Sequence, residues 1–148
     1  CVSYRNETLG AANHSVFYQL QGVCVDKNIS MANLKNTLEG FAKFMYGENV
    51  RTRFRTKHYP EVEPGAGMDI FCPFCNGAGC GVCKGRGWME ILGSGMIHRN
   101  TLQRCGVDFN EYSGFAFGIG LDKIVMLSTG IDDVRKLRNG ELVYENTL

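Results

Sequence analysis

A chain of 148 residues can bury one hydrophobic core and form one domain. Its 44% hydrophobic and 21% charged residues are ordinary for a soluble globular protein, and its net charge of +1 excludes a strong overall field. Any contact with nucleic acid therefore has to come from a local patch. No apolar run is long enough to span a bilayer, and the sequence shows no signal peptide. Because the chain begins at Cys1 without an initiating Met, we expect a fragment of a longer polypeptide.

Two runs near the start, residues 2–7 and 14–25, have the pattern of β-strands joined by a short loop. In the second run Phe17, Gln19 and Gln21 share one face of the predicted strand. One aromatic ring and two amides on a face suit a planar ligand that forms hydrogen bonds. A half-exposed sheet explains them equally well.

Residues 30–46 form the clearest predicted helix, which Ser30 can cap and Gly47 is placed to end. One face of this helix is apolar, and we predict that it packs in the core rather than binding a cofactor. The residues of that face are Leu34, Leu38, Phe41, Ala42 and Met45.

Four cations follow at every second position, Arg51, Arg53, Arg55 and Lys57. In a strand they project from one side, where they repel one another unless something screens them. A phosphate-bearing substrate or plain water would do so, and we favour water. Residues 58–67 contain two prolines and are predicted to form a loop.

Residues 72–87 read C-P-F-C-N-G-A-G-C-G-V-C-K-G-R-G, which is two copies of C-x-x-C-x-G-x-G in tandem. Two C-x-x-C turns supply the tetrahedral sulfur set that zinc prefers, so Cys72, Cys75, Cys80 and Cys83 are predicted to bind one structural zinc ion. The glycines at 77, 79, 85 and 87 are predicted to have positive φ. An iron–sulfur or redox site and a disulfide framework are the less favoured alternatives.

The apolar runs on either side, residues 68–71 and 88–92, predict a β-hairpin whose tip is this zinc knuckle, residues 72–87. Gly93-Ser94-Gly95 then offers a backbone that a ligand can approach closely. A short helix is predicted over residues 100–105, a glycine-rich strand over 112–120, and helices over 121–128 and 132–137. The lone G-x-G in that strand lacks the G-x-G-x-x-G turn of a dinucleotide-binding fold.

Several ordered segments resemble the catalytic domain of the α subunit of bacterial phenylalanyl-tRNA synthetase, a class II enzyme. They are H-S-V-F-Y-Q-L-Q-G-V-C-V-D-K-N-I-S (14–30), V-E-P-G (62–65), W-M-E-I-L-G-S-G-M-I-H (88–98) and Y-S-G-F-A-F-G-I-G-L-D-K (112–123). The resemblance implies an α+β fold, a class II antiparallel β-sheet flanked by helices, with the four-cysteine zinc hairpin as an insert. Residues 1–148 would be a single-domain fragment that covers motifs 2 and 3.

The implied reaction joins phenylalanine to the α-phosphate of ATP and then transfers the acyl group to a tRNA ribose hydroxyl. Arg5 would hold the α-phosphate, since a guanidinium suits bidentate contacts with phosphate. Glu7 would accept from the adenine amino group, Phe17 would stack on the adenine ring, and His14 would lie near the β- and γ-phosphates.

Lys123 stands where the family has the arginine of motif 3, and Glu90 would sit by an ATP-bound Mg²⁺ that helps to neutralise the phosphates. The implied catalytic residues are thus Arg5, His14 and Lys123.

The implied amino-acid site meets the ammonium group with Gln19 and Gln21, and Ala116 would limit the depth of its side-chain pocket. Gln21 stands where the family usually has Glu, and Tyr59-Pro60-Glu61 stands where it usually has Phe-Pro-Phe. The whole implied set is Gln19, Gln21, Tyr59, Glu61, Val62, Phe115, Ala116 and Gly118.

The resemblance also implies a cytoplasmic enzyme whose partners are phenylalanine, tRNA and a synthetase β subunit, in a heterotetramer of two α and two β subunits. Its cofactors would be ATP, Mg²⁺ and structural Zn²⁺. The alternatives are a zinc-stabilised binding module, similar to the cysteine-rich region of J-domain co-chaperones, and a diverged, inactive synthetase-like domain. Lys84 and Arg86 on the knuckle are either tRNA contacts or solvated cations.

Overall fold

The computed structural model describes residues 1–6 and 8–137, which fold around a six-stranded sheet. Every pair of neighbouring strands is antiparallel. The strands are β1 (Val2–Tyr4), β2 (Val16–Asp26), β3 (Thr52–Tyr59), β4 (Val62–Phe71), β5 (Trp88–Ile97) and β6 (Ser113–Gly120). Their order across the sheet is β1-β2-β6-β5-β4-β3, so β2 from the start of the chain pairs with β6.

Three α-helices accompany the sheet: α1 (Met31–Tyr46), α2 (Arg99–Arg104) and α3 (Leu121–Thr129), followed by a 3-10 helix (Val134–Leu137). The predicted antiparallel α+β fold is confirmed. Within the described ranges, no helix has both the length and the apolar character needed to cross a bilayer.

The α1 helix begins and ends where its sequence predicts. The Ser30 hydroxyl accepts from the Asn33 N–H while the Asn33 side chain accepts from the Ser30 N–H at 2.9 Å, which is a reciprocal cap. Gly47 ends the helix with a φ of +93°, and its N–H donates to the Lys43 carbonyl at 2.8 Å. The apolar stripe is confirmed as core at its centre, where Leu34 and Leu38 are fully buried.

The core lies between one face of the sheet and the helices α1 and α3. It contains Met68 and Ile70 of β4 and Ile119 of β6, together with Met126 of α3. Successive side chains of a strand point to opposite faces of the sheet. The strand residues that alternate with these core residues therefore belong to the other face, which the described helices leave open. The alternation therefore divides the sheet into a core face and an open face.

The predicted loop over residues 58–67 is wrong, because β3 runs to Tyr59 and β4 begins at Val62. Pro60 lies in the tight turn between these strands, and Pro64 lies where the register of β4 with β5 shifts between Val62 and Gly65. Proline is tolerated at both places because neither needs its missing N–H for a ladder hydrogen bond.

Smaller differences concern element ends. The first strand ends at Tyr4 rather than residue 7, the short helix begins at Arg99 with His98 as its N-cap, and the last predicted helix is the 3-10 turn. The hairpin of β4 and β5 is confirmed, with Phe71 opposite Trp88 at the base of the knuckle.

Candidate functional site

A cavity of about 720 Å³ opens on the open face of the sheet. Its floor crosses three strands. Gly93 of β5 pairs with Gly118 of β6 and supplies a floor without side chains, and Gly118 pairs in turn with Gln21 of β2. A floor of glycine backbone leaves room for a ligand to approach the sheet closely. The predicted site residues that line the cavity are Arg5, His14, Phe17, Gln19, Gln21, Tyr59, Glu61, Val62, Glu90, Ala116, Gly118 and Lys123.

One end of the cavity is formed where β1 pairs with β2. The Arg5 guanidinium lies over the Phe17 ring, 4.9 Å from its centroid, and the Arg5 N–H donates to the Ser15 carbonyl at 2.8 Å. The Val16 N–H donates to His14 Nδ1 at 3.2 Å, which orients that imidazole. An arginine, an aromatic ring and a histidine are thereby brought together. Glu7, predicted beside them, lies outside the described residues.

The two predicted amides are neighbours on the open face. Gln21 Nε2 donates to Gln19 Oε1 at 3.3 Å, and the Ser3 hydroxyl donates to the same oxygen at 3.0 Å. The absence of a side chain at Gly118 makes room for this pair, since a Cβ there would lie 2.6 Å from Gln19 Nε2. The hydrogen bonds therefore present both amides to the cavity in one arrangement.

Glu90 also lines the cavity, where it lies among cations. Its Oε2 accepts from Arg55 Nη2 at 2.8 Å and from Lys57 Nζ at 2.9 Å, and its main-chain oxygen accepts from Lys123 Nζ at 2.8 Å. Burial raises the pKa of the Glu90 carboxyl, but Lys57 and Arg55 outweigh this and hold it below its ordinary value. Glu90 is therefore ionised near neutral pH.

A second carboxylate explains the alternating cations of β3. Asp69 is only 1% exposed, and it accepts from Arg53 Nε at 3.0 Å and from Arg55 Nη2 at 2.7 Å. The interpretation of these cations as screened by water is thus wrong, because Asp69 and Glu90 pair with them. Arg51 precedes the strand, and its guanidinium lies 4.2 Å from the centroid of the Phe71 ring.

A sequence signal for this pairing exists. Asp69 interrupts the apolar run of β4, and an acid in a strand buried on both sides requires a cationic partner on a neighbouring strand. Its pKa lies below the ordinary value, because Arg55 and Arg53 outweigh the effect of burial, which alone would raise it.

Phe115, which the sequence predicts in the amino-acid pocket, does not line this cavity. It is 4% exposed and belongs to the buried core on the helix side of the sheet. Ala116 and Gly118 do line the cavity. Residues 115 and 116 of one strand point to opposite faces, and the prediction placed both in one wall. The cavity is also lined by residues that the sequence did not single out for it, namely Asn13, Lys57, Phe117 and Asp122.

The four cysteines of the knuckle converge on one point. Their Sγ atoms all lie within 4.8 Å of one another, with Cys72–Cys80 and Cys75–Cys83 separations of 3.8 Å and a Cys80–Cys83 separation of 3.7 Å. These distances are far longer than a disulfide bond and match the roughly 3.8 Å edge of a tetrahedron with Zn–S bonds of about 2.3 Å. The donor set therefore fits one zinc ion.

Backbone N–H groups donate hydrogen bonds to two of these sulfur atoms, which favours the thiolate form that binds a cation. The Gly79 N–H donates to Cys75 Sγ at 3.2 Å, and the Cys80 and Gly87 N–H groups donate to Cys83 Sγ at 3.1 and 3.3 Å. Burial raises the pKa of the Cys83 thiol, but hydrogen bonds from Cys80 and Gly87 outweigh it and lower that pKa to about 6. The predicted positive φ is confirmed at all four knuckle glycines, with values from +67° to +99°.

Some known proteins are similar to this chain in sequence, and others are similar to it in fold. A family model described as tRNA synthetases class II core domain (F) matches residues 2–147. The chain is 53% identical over 141 residues to the phenylalanine–tRNA ligase alpha subunit of Clostridium acetobutylicum, covering 95% of this chain and 42% of that protein. It is 51% identical over 143 residues to the protein of that name in Clostridium perfringens, covering 97% of this chain and 42% of that protein.

A crystal structure of pyrrolysyl-tRNA synthetase from Desulfitobacterium hafniense aligns with a TM-score of 0.55 at 13% identity, over 93% of this chain and 43% of that one. This likeness shows a shared fold alone. The chain spans about two fifths of the length of the alpha subunits that it matches.

Proposed function

Because the chain belongs to the class II tRNA synthetase core-domain family, we propose that it is the catalytic core of a phenylalanine–tRNA ligase α subunit. The proposed reaction forms an adenylate from phenylalanine and ATP, releases pyrophosphate, and transfers the acyl group to the terminal ribose of tRNA. The observation that carries the proposal is a single open-face cavity that gathers the candidate nucleotide residues and the candidate amino-acid residues.

The candidate nucleotide end offers stacking and positive charge. Phe17 offers a ring on which adenine can stack, and Arg5, already over that ring, offers a bidentate fork for the α-phosphate. His14 and Lys123 add two further nitrogen donors on the same cavity. Little covalent chemistry falls to such residues, which act by orienting the substrates and stabilising charge.

The candidate amino-acid end offers hydrogen-bond acceptors and a small floor. Gln19 and Gln21 would meet the substrate ammonium group, while Ala116 and Gly118 leave space for a phenyl ring. Gln21 in place of a carboxylate removes one charge-assisted hydrogen bond, which costs on the order of 1 kcal/mol of binding. Tyr59, Glu61 and Val62 complete the proposed pocket.

Two metals enter the proposal. Glu90 would hold a Mg²⁺ ion, which when bound supplies positive charge that neutralises phosphate oxygens. The four knuckle cysteines would hold a structural Zn²⁺ ion, whose closed sulfur set leaves no position for a reacting group. The knuckle thus serves the hairpin rather than the reaction.

The proposed assembly includes tRNA and a β subunit, in a heterotetramer of two α and two β subunits. The cytoplasmic location expected from the resemblance stays a prediction. A tRNA contact through Lys84 and Arg86 is the less favoured alternative to solvation of these cations. Unchanged tRNA affinity across salt concentrations after replacement of both residues would refute that contact.

Pyrophosphate exchange tests the activity. The complete α subunit assembled with its β subunit should exchange labelled pyrophosphate into ATP only when phenylalanine is present. Exchange driven equally well by another amino acid would refute the substrate, and the absence of exchange with any amino acid would refute the enzymatic assignment.

A paired substitution tests the site. Phe17→Ala should raise the KM for ATP about tenfold, as loss of one base-stacking contact predicts. Leu20→Ala is the matched control, because Leu20 lies on the same strand but points to the opposite face and is exposed. Equal effects of the two substitutions would contradict the proposed nucleotide position.

A further inference from the structure

Next to the cavity residue Glu90, and linked to it through Arg55, lies a charged group that the proposed reaction does not use. Asp69 of β4 is 1% exposed, yet it is ionised, with two guanidinium groups against it. A buried carboxylate is costly unless it is paired and hydrogen-bonded. Asp69 therefore holds its arginine partners in place more firmly than an exposed acid would.

One of these arginines reaches further than the other. Arg55 donates two hydrogen bonds to Asp69, from Nε to Oδ2 at 2.5 Å and from Nη2 to Oδ1 at 2.7 Å. The same Nη2 also donates to Glu90 Oε2 at 2.8 Å. Arg53 Nε pairs with Asp69 Oδ2 at 3.0 Å, and the Arg53 guanidinium stacks 4.4 Å from the centroid of the Trp88 ring. Only the rigid fork of an arginine can engage two carboxylates at once in this way.

We propose that Arg55, clamped by the buried Asp69, is a positioning residue that fixes the Glu90 carboxylate at the nucleotide end of the cavity. The inference rests on the proposed function, in which Glu90 serves the nucleotide and its metal. Arg55 does not line the cavity, whereas Glu90 does, so Arg55 acts on the substrate through Glu90.

The physical reason is that the two cations bonded to the Glu90 carboxylate differ in rigidity. Lys57 has a flexible side chain that can change conformation together with the carboxylate, whereas Arg55 is fixed by its two bonds to Asp69. Without the planar guanidinium, the Glu90 carboxylate has only flexible ammonium partners at positions 55 and 57, and it has more freedom to leave the orientation that binding requires. Nucleotide binding should suffer while phenylalanine binding does not.

Matched lysine variants test this in the assembled α and β subunits. Arg55→Lys keeps the charge but loses the fork, and we expect a rise of about tenfold in the KM for ATP, the loss that one charge-assisted hydrogen bond predicts. The KM for phenylalanine should stay unchanged. Arg53→Lys makes the same chemical change on the same Asp69 partner and should leave both constants within about twofold.

Two further measurements separate positioning from a general loss of structure. Equilibrium dialysis of labelled ATP without phenylalanine, across a Mg²⁺ titration, should show weaker binding for Arg55→Lys and unchanged binding for Arg53→Lys. In a Glu90→Gln background, Arg55→Lys should add little, because the residue through which it acts is already changed.

Each outcome has one meaning. Equal effects of the two lysine variants, or full additivity with Glu90→Gln, would overturn the inference while leaving the proposed function intact. An unaltered enzyme without phenylalanine-dependent exchange would overturn the proposed function instead. Asp69→Asn should reproduce the Arg55→Lys effect. If Asp69→Asn does not fold, the comparison of Arg55→Lys with Arg53→Lys still tests the inference.

Discussion

Replacing Gly87 by Ala should disrupt the zinc knuckle for two separable reasons. Its φ of +67° lies in the left-handed region, where a residue with a Cβ costs about 1–2 kcal/mol. The added Cβ would also lie 2.4 Å from the main-chain oxygen of Gly77 in the other cysteine repeat. That oxygen belongs to the backbone and cannot rotate away, so overpacking adds about 1–3 kcal/mol. The sum is about 2–5 kcal/mol, or a loss of zinc affinity of about thirtyfold or more.

Gly85→Ala is the matched control, because Gly85 has a φ of +73° but open space around its Cβ position. It should incur only the backbone cost of about 1–2 kcal/mol. Competition with a chromogenic chelator measures both affinities, after elemental analysis has shown one zinc per chain. Equal zinc loss in the two variants would refute the clash between the new Cβ and the Gly77 oxygen. If unaltered protein purified without chelator carried no zinc, or carried iron, the proposed zinc site itself would be refuted.

Three further predictions follow from the floor, the buried acid and the core. Gly118→Ala places a Cβ 2.6 Å from Gln19 Nε2 and should raise the KM for phenylalanine several-fold. Gly120→Ala is the control, because its Cβ would meet open space, and it should leave that KM unchanged. Equal KM values for the two variants would contradict this. The pKa of Asp69 is lower in the folded protein, so its stabilisation is present above about pH 4 and is lost as the pH falls through the folded pKa. Urea unfolding should therefore show a larger deficit for Asp69→Asn at about pH 6 than at about pH 3, and a deficit independent of pH would refute this. Leu38→Ala should lower the free energy of unfolding by about 2–5 kcal/mol, and a loss below about 1 kcal/mol would show that the site is not packed.

The features that short-range chemistry controls were predictable from sequence. The knuckle is one, because two C-x-x-C turns with glycines at 77, 79, 85 and 87 meet the metal's geometry within sixteen residues. The α1 helix is another, since its caps and apolar stripe are local. Residue order also sufficed to identify the family, and twelve of the thirteen predicted nucleotide and amino-acid site residues that the structure describes, all except Phe115, line one cavity.

Predictions from sequence were incomplete where the position of a residue depends on strand register or on a partner from another strand. Prolines at 60 and 64 indicated a loop, but their positions at a turn and a register shift leave both strands intact. Phe115 lies on the core side of the sheet, which the motif alone does not record, because a motif does not say which side of the sheet each of its residues occupies.

Short-range spacing alone was enough to predict the four-cysteine hairpin and the capped helix, because each depends on atoms a few residues apart. The partners of the β3 cations were not predictable in that way. Arg55 meets Asp69 and Glu90 only after β3, β4 and β5 have paired in one register, and that register depends on which faces the whole sheet buries.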